Sequence, residues 1–272
     1  MITASTRLCA SLGHWPASRP TTSPIMHNAA FAELGLDYRW FVFQPADVGA
    51  AMAAIRTLNF AGVSVTKPFK EEIIPHLDEL DPVAAAIGAV NLVHNAGGHL
   101  TGYNCDWIGA AGALAENCEL AGQRVAVLGS GGAARAVVYG LRQGGCDVQV
   151  YSRSEPKGRA LANGLGVSYG GQFGDVAAAA PGILVNATSI GNDLRADVPV
   201  PDAVFATARI VMDVVTRPGP SALLDRAARA GAQTIGGVRM LVLQGAFAFE
   251  QLTGHPAPVA TMQRAVEQAL AG

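Results

Sequence analysis

Two stretches of the chain carry residue types that could do chemistry. The first, GVSVTKPFKEE at 62–72, runs a short β-rich segment into a proline flanked by Lys67 and Lys70. A lysine amine can take a proton from an alcohol only where burial or a neighbouring cation lowers its pKa. By residue type the two lysines are nearly equal candidates, and a solvated charge cluster is the plain alternative. Asp106, in GYNCDWIG, is a carboxylate that could hold such an ammonium and a substrate hydroxyl in place. Its charge would raise the lysine pKa, so desolvation must act against it.

The second stretch is VAVLGSGGAARA. It sets Gly129, Gly131 and Ala134 in a G-x-G-x-x-A spacing, with Ser130, Gly132 and Ala133 between them. Glycines allow the sharp turn and the close approach of backbone to a pyrophosphate, and the following helix start supplies free N–H groups. Apolar residues before the glycines and a helical run after them place the motif between strand and helix, the context a dinucleotide site requires. The next strand ends in Tyr151-Ser152-Arg153-Ser154-Glu155-Pro156-Lys157. Arg153, Ser154 and Lys157 suit a 2′-phosphate, and no carboxylate ends the strand itself. The pattern favours NADP over NAD, with Glu155 the one nearby acid that argues the other way.

Strand-like and helix-like segments alternate through most of the chain, which predicts an α/β protein with parallel pairing. Helices are expected over 28–36, 48–58 and 83–87, from the glycine motif to Gln143, and over 240–250 and 258–270. Strands are expected over 38–43, 62–66, 125–128, 147–151, 183–186 and 210–214. Asn95-Ala-Gly-Gly has the composition of a hairpin turn. Glu71 and Glu72 suit the first turn of a helix, where acids complement the dipole.

Composition narrows the classes. Half of the 272 residues are hydrophobic and only 15% are charged, a globular balance with enough length for one large or two modest cores. A net charge of −2 offers no general attraction to nucleic acid or anionic membranes. The longest uncharged stretch, Val176 to Asn192, is broken by proline, glycine and polar residues, so no membrane span is expected. The first residues, MITASTRLCASLGHWP, lack the basic flank and apolar core of a signal peptide. Four scattered cysteines form no CxxC and no ligand cluster, so no metal site is expected. A cytoplasmic protein acting on a small molecule, as a monomer or homodimer, fits these features.

Taken together, TTSPIMHNAAFAELGLDY, VSVTKPFKE, IGAVN, GYNCDWIG, GSGGAARA, SRSEPK, NATSIG and GGVRMLVLQGAFAFE resemble the shikimate dehydrogenase family almost end to end. The resemblance implies an N-terminal α/β substrate domain over 1–106, completed by 241–272, and a Rossmann NADP domain over 107–240. Substrate would bind in the cleft between them. It also implies that Lys70 is the catalytic base, with Asp106 as its partner, and that Lys67 is a bystander. Thr21 and Ser23 match the hydroxyl pair that holds a substrate carboxylate, and Thr66, Asn91 and Gln244 match polar substrate ligands. Ser152 with Arg153, Ser154 and Lys157, then Asn186, Thr188 and Ser189, and finally Val214, Gly237 and Met240 match the cofactor side.

The implied activity is reversible, NADP-dependent reduction of 3-dehydroshikimate to shikimate. Four departures from the family pattern bear on the substrate. Ser64 stands in place of an asparagine, Cys105 in place of a threonine and Thr216 in place of a tyrosine. The segment GHWPASRPTTSP is longer than usual, and its ASRP fragment resembles a shikimate-dehydrogenase-like branch. Related readings are a dehydrogenase preferring quinate, aminoshikimate-type or other hydroxylated cyclohexane carboxylates, and a non-catalytic metabolite sensor. Methylene-tetrahydrofolate dehydrogenase or glutamyl-tRNA reductase-like chemistry is disfavoured by the Thr21/Ser23 and Asn91/Asp106 set.

Overall fold

The structure is a computed structural model that describes residues 2–15, 21–191 and 197–271. The ASRP fragment at 17–20 lies outside the described residues. The chain divides into two compact units, Met1–Cys105 with Val242–Gly272, and Asp106–Leu241.

The first unit begins with β1 (Arg7–Leu12), α1 (Thr22–Glu33), β2 (Tyr38–Phe43), α2 (Val48–Thr57) and β3 (Gly62–Val65). A 3₁₀ turn at Ile74–His76 leads to β4 (Glu79–Leu80), α3 (Pro82–Ile87), β5 (Leu92–Ala96) and β6 (His99–Tyr103). Its six strands lie in the order β2-β1-β3-β5-β6-β4. β1 runs parallel to β2 and β3, while β5 is antiparallel to β3 and β6. Gly97 and Gly98, both at positive φ, close the β5–β6 hairpin as its composition predicts.

Helix α1 starts six residues earlier than the sequence pattern suggests. Pro24 sits in its first turn, where its missing N–H is no loss. Glu71 and Glu72 do not begin a helix. They lie in turns, and the next helical segment is the short 3₁₀ turn at Ile74–His76.

Side-chain alternation splits the first sheet into two faces. Ala10, Leu12, Val63 and Val65 are buried in one cluster with Met52 and Ile55 of α2. Cys9 and Ser11 face the opposite way, and Trp40 pairs with Cys9 in register. Two consecutive residues of α1 grip Trp40. The buried His27 ring stacks on its indole, with centroids 3.8 Å apart and planes 6° from parallel. Asn28 Nδ2 donates to the Trp40 carbonyl (3.0 Å), and the Trp40 N–H donates to Asn28 Oδ1 (2.9 Å). β2 is an edge strand. Asn28 therefore satisfies peptide groups that would otherwise template another chain, and Arg39 donates to the Tyr38 carbonyl beside it (2.6 Å).

The second unit opens with α4 (Asp106–Ala115), β7 (Arg124–Leu128), α5 (Gly132–Gln143), β8 (Asp147–Tyr151), α6 (Glu155–Leu165) and β9 (Ser168–Gly171). It continues with β10 (Ile183–Asn186), β11 (Ile210–Asp213), α7 (Ala222–Arg229) and β12 (Gln233–Ile235). The strand order β12-β11-β10-β7-β8-β9 is parallel throughout. This is the doubly wound Rossmann order, which reverses between β7 and β10. Helix α8 (Gly237–Thr253) begins in this unit and ends in the first, and α9 (Val259–Ala271) follows and packs on α1. Among the described residues no helix is long and apolar enough to cross a membrane.

Asn28→Ala removes both edge bonds and leaves the Trp40 peptide groups bare. It should cost about 1–3 kcal/mol in urea unfolding and increase aggregation, whereas a loss below about 0.5 kcal/mol would show the cap to be dispensable. Burial lowers the pKa of His27 to about 3, and its Nδ1 has no partner among the described residues. The unfolded imidazole gains its proton below about pH 6.5 while the folded one stays neutral, so stability falls from there toward pH 3. His27→Phe keeps the stack and removes this loss. Urea titrations should therefore show the variant gaining about 2 kcal/mol over the parent between pH 7 and pH 5.

Candidate active site

In the first unit the polar residues expected to bind substrate lie on several elements, and a hydrogen bond joins Asn91 to Gln244. Thr21 is the residue before α1 and makes no side-chain cap, while Ser23 lies in the first turn. Both are half-buried. Thr66 directly follows β3, with its N–H on the Leu12 carbonyl (2.9 Å) and its carbonyl receiving the Phe69 N–H (3.0 Å). Gly13 lies against it so closely that a Cβ there would overlap the Thr66 methyl. Asn91, which is buried, donates from Nδ2 to Gln244 Oε1 (3.1 Å). Its Oδ1 accepts from the Cys105 N–H (2.8 Å) and the Cys105 thiol (3.2 Å). Cys105 thus retains a side-chain donor at the position where the family pattern has a threonine.

The two lysines occupy one turn. Lys67 is exposed and Lys70 half-buried. The Lys67 carbonyl accepts from the His14 N–H (2.9 Å), and the Lys70 carbonyl accepts from the Val90 N–H (2.8 Å). The second bond fixes Lys70 beside the segment that carries Asn91. Partial desolvation, and then the Lys70 ammonium, push the Lys67 pKa below the ordinary lysine value. The peptide bond between Lys67 and Pro68 is cis.

In the second unit, Asp106 is the buried first residue of α4. The glycine loop joins β7 to α5. Gly129 has φ +121°, and a Cβ on it would sit 3.0 Å from the Ala187 carbonyl oxygen, so only glycine fits without strain. Gly131 precedes α5 without a side-chain cap, and a Cβ there would meet nothing within 4 Å. Ser130, Gly132 and Ala133 are half-buried around this helix start. An open, uncapped N-terminus behind a bare glycine turn fits a pyrophosphate.

The Ser130 and Ser152 hydroxyls lie 2.8 Å apart, tying the loop to the end of β8, and the Ser154 N–H donates to Ser152 Oγ (3.3 Å). Arg153 and Lys157 are exposed there. Glu155 accepts from Arg159 Nε (2.7 Å), which engages the one acid that argued against a 2′-phosphate.

At the end of β10 the side chain of Asn186 is fully buried and works internally. Its Nδ2 donates to the Ile190 carbonyl (3.1 Å) and to Asp213 Oδ1 (3.0 Å). Its Oδ1 accepts the Thr188 N–H (3.1 Å) and hydroxyl (2.7 Å). Asn186 therefore shapes the Thr188–Ile190 loop, on which Ser189 is exposed. The Val214 N–H donates to the Asn186 carbonyl (3.0 Å). Gly237 opens α8, and Met240 is buried. Thr216 Oγ1 points to the Gly237 carbonyl at 3.5 Å.

The residue that sequence reading missed is Asp213. It is almost wholly buried and also accepts from the Val215 N–H (3.0 Å) and Ser221 Oγ (2.6 Å). Burial pushes its carboxyl up, against the pull of these donors. A single acid closing a buried strand leaves no distinctive spacing by which it could be found. Among the described residues no group of three or more metal-ligating side chains occurs.

The chain is similar to known proteins over nearly its whole length. A family profile described as the shikimate dehydrogenase substrate binding domain matches residues 18–93, and one described as the shikimate 5'-dehydrogenase C-terminal domain matches 237–267. The NADP(+) shikimate dehydrogenase of Moorella thermoacetica is 41% identical over 283 residues, covering 99% of this chain and 95% of that protein. The corresponding protein of Haloarcula marismortui is 44% identical over 246 residues, covering 88% and 91%. A solved structure of shikimate 5-dehydrogenase from Thermus thermophilus, in complex with NADP(H) and shikimate, superposes with a TM-score of 0.89 at 35% identity. It covers 97% of this chain and 100% of that one.

Asp213→Ala leaves Asn186, Ser221 and the Val215 N–H without their shared acceptor. The change should cost about 2–4 kcal/mol in denaturant unfolding and make the 187–191 loop more sensitive to protease. An unchanged unfolding midpoint would show that the network carries little.

Proposed function

The chain belongs to the shikimate dehydrogenase family, and from that premise we propose that it is an NADP-dependent oxidoreductase interconverting shikimate and 3-dehydroshikimate. The observation that carries this reading is the near-full-length match to NADP(+) shikimate dehydrogenases. The glycine turn, the uncapped start of α5 and the basic end of β8 support the cofactor. NADP, when bound, supplies or accepts the hydride at its nicotinamide ring. Gly129, Ser130, Gly131, Gly132 and Ala133 would hold its pyrophosphate. Ser152, Arg153, Ser154 and Lys157 would hold the 2′-phosphate. Thr188, Ser189, Val214, Gly237 and Met240 would border the nicotinamide side, positioned by Asn186.

The chain's own part is to bind the cyclic acid and to move one proton. Thr21 and Ser23 hold the carboxylate with hydroxyl donors beside the positive end of the α1 dipole. Thr66, Asn91 and Gln244 meet ring oxygens. Lys70 exchanges the proton of the reacting hydroxyl, and Asp106 stabilises its ammonium form. The first unit is the substrate domain and the second the dinucleotide domain. The protein works in the cytoplasm on a small molecule, as a monomer or homodimer.

The test follows the reduced-nicotinamide absorbance with shikimate and quinate, each with NADP and with NAD. Shikimate with NADP is expected to be the preferred pair, and no reduction with any pair would sink the assignment. Lys70→Ala should then lower kcat by roughly 10²–10⁴-fold with little change in NADP affinity. A larger loss in Lys67→Ala would move the base to Lys67.

A further inference from the structure

Two neighbouring side chains just past the end of α4 hold the start of α8. Arg239, the third residue of α8, grips Glu116 with two arms. Its Nε donates to Glu116 Oε2 (2.8 Å) and its Nη2 to Oε1 (2.5 Å). Next along the chain, Asn117 Oδ1 accepts from Gln233 Nε2 on β12 (2.5 Å), and Asn117 Nδ2 donates back to the Ala113 carbonyl of α4 (2.8 Å). One helix end thus holds the turn between β12 and α8 on both its flanks. The hydrogen bond to Arg239 draws the Glu116 pKa below the ordinary carboxylate value, and the same bond raises that of Arg239. Each partner is held in its charged form.

The turn being held has little stiffness of its own. Gly236 and Gly237 are consecutive, and glycine has the freest backbone of any residue. Gly237 is nevertheless packed tightly, since a Cβ on it would fall 2.5 Å from the Val214 carbonyl oxygen. A helix that leaves a two-glycine joint against another backbone needs an outside contact to set its direction. The Arg239–Glu116 fork supplies one two residues into the helix, with a planar geometry that fixes angle as well as distance. Its side chains are 31% and 43% exposed, so its worth lies in orientation and not in stability.

We propose that Glu116 is a positioning residue for the nicotinamide side of the cofactor site, acting through Arg239 to fix the first turn of α8, and with it Gly237 and Met240, against Val214. This rests on the NADP-dependent activity proposed above and deepens its cofactor side. Neither Glu116 nor Arg239 touches the cofactor in this scheme. The adenine end of the site, at the glycine turn and the end of β8, does not depend on the fork.

The experiment compares two ligands on the full chain by calorimetry. NADP carries the nicotinamide, whereas adenosine 2′,5′-bisphosphate carries only the adenine end. The variants are Glu116→Gln, Arg239→Gln, the two together, and the exchanged pair Glu116→Arg with Arg239→Glu. Either single variant should weaken NADP binding roughly three- to tenfold and lower kcat with shikimate by a similar factor. Binding of the bisphosphate should stay within about twofold of the parent. The double Gln variant should be no worse than either single one, and the exchanged pair should recover most of the loss. A merely structural fork would weaken both ligands alike, and that result overturns the proposal. So does a pair of single variants whose NADP affinity and kcat both stay within about twofold of the parent. A parent that binds neither ligand would overturn the cofactor reading and this inference together, whereas an active parent with inert variants overturns this inference alone.

Discussion

The first unit depends on how α1 holds Trp40. His27 covers the indole ring and Asn28 pairs with the peptide of the same residue, so two adjacent helical positions fix both parts of one strand residue. Burial keeps His27 neutral, which makes the stack possible without a buried charge in an apolar layer. Phe31 and Phe249 extend that layer, their rings 5.4 Å apart. With Trp40 fixed, its indole N–H has one direction in which to point, and that direction is Ser11.

The second unit solves a different problem. All its strands are parallel, and the order reverses between β7 and β10, where two loops diverge and leave room for a ligand. Divergent loops need internal support because no neighbouring strand supplies it. On one side the Gly129 N–H is held by the Tyr151 carbonyl (2.8 Å). On the other, Asn186 and Asp213 bind the backbone that leaves β10 and β11. Burying the Asp213 carboxylate is costly, as its raised pKa shows, and three donors offset that cost.

How much of this was legible in the sequence varies with the physics involved. The strand at Tyr38–Phe43, the hairpin and the strand–glycine–helix passage follow from local pattern, and each occurs where the pattern puts it. β1 was not foreseen, because RLCASL mixes small residues with large ones and shows no clean alternation. The expected α1 began six residues late, since Pro24 is tolerated in a first turn though not further into a helix. The turns at Glu71 and Glu72 defeated a rule about charge that cannot tell a helix start from a turn. Asn186 reads as a ligand by motif, yet its side chain is spent inside the loop. Nothing local pairs Ser11 with Ser64 or Asn186 with Asp213. Those contacts arise from strand register, a property of the assembled sheet.

The lysine turn shows what the fold adds to a motif. Lys67 and Lys70 are equivalent by type and nearly so by position, but the backbone separates them. Lys67 hangs from the His14 N–H and stays exposed, while Lys70 is pinned by the Val90 N–H one residue from Asn91. An amine that must meet a hydroxyl at hydrogen-bond distance needs its Cα placed, since four rotatable bonds already leave it wide freedom. Lys70 has that anchor next to a residue proposed for substrate, and this favours it as the base. Lys67 still contributes charge. Partial desolvation, together with repulsion by the Lys70 ammonium, lowers the Lys67 pKa. A neutral residue at 67 would remove that repulsion and leave the anchor at 70 intact.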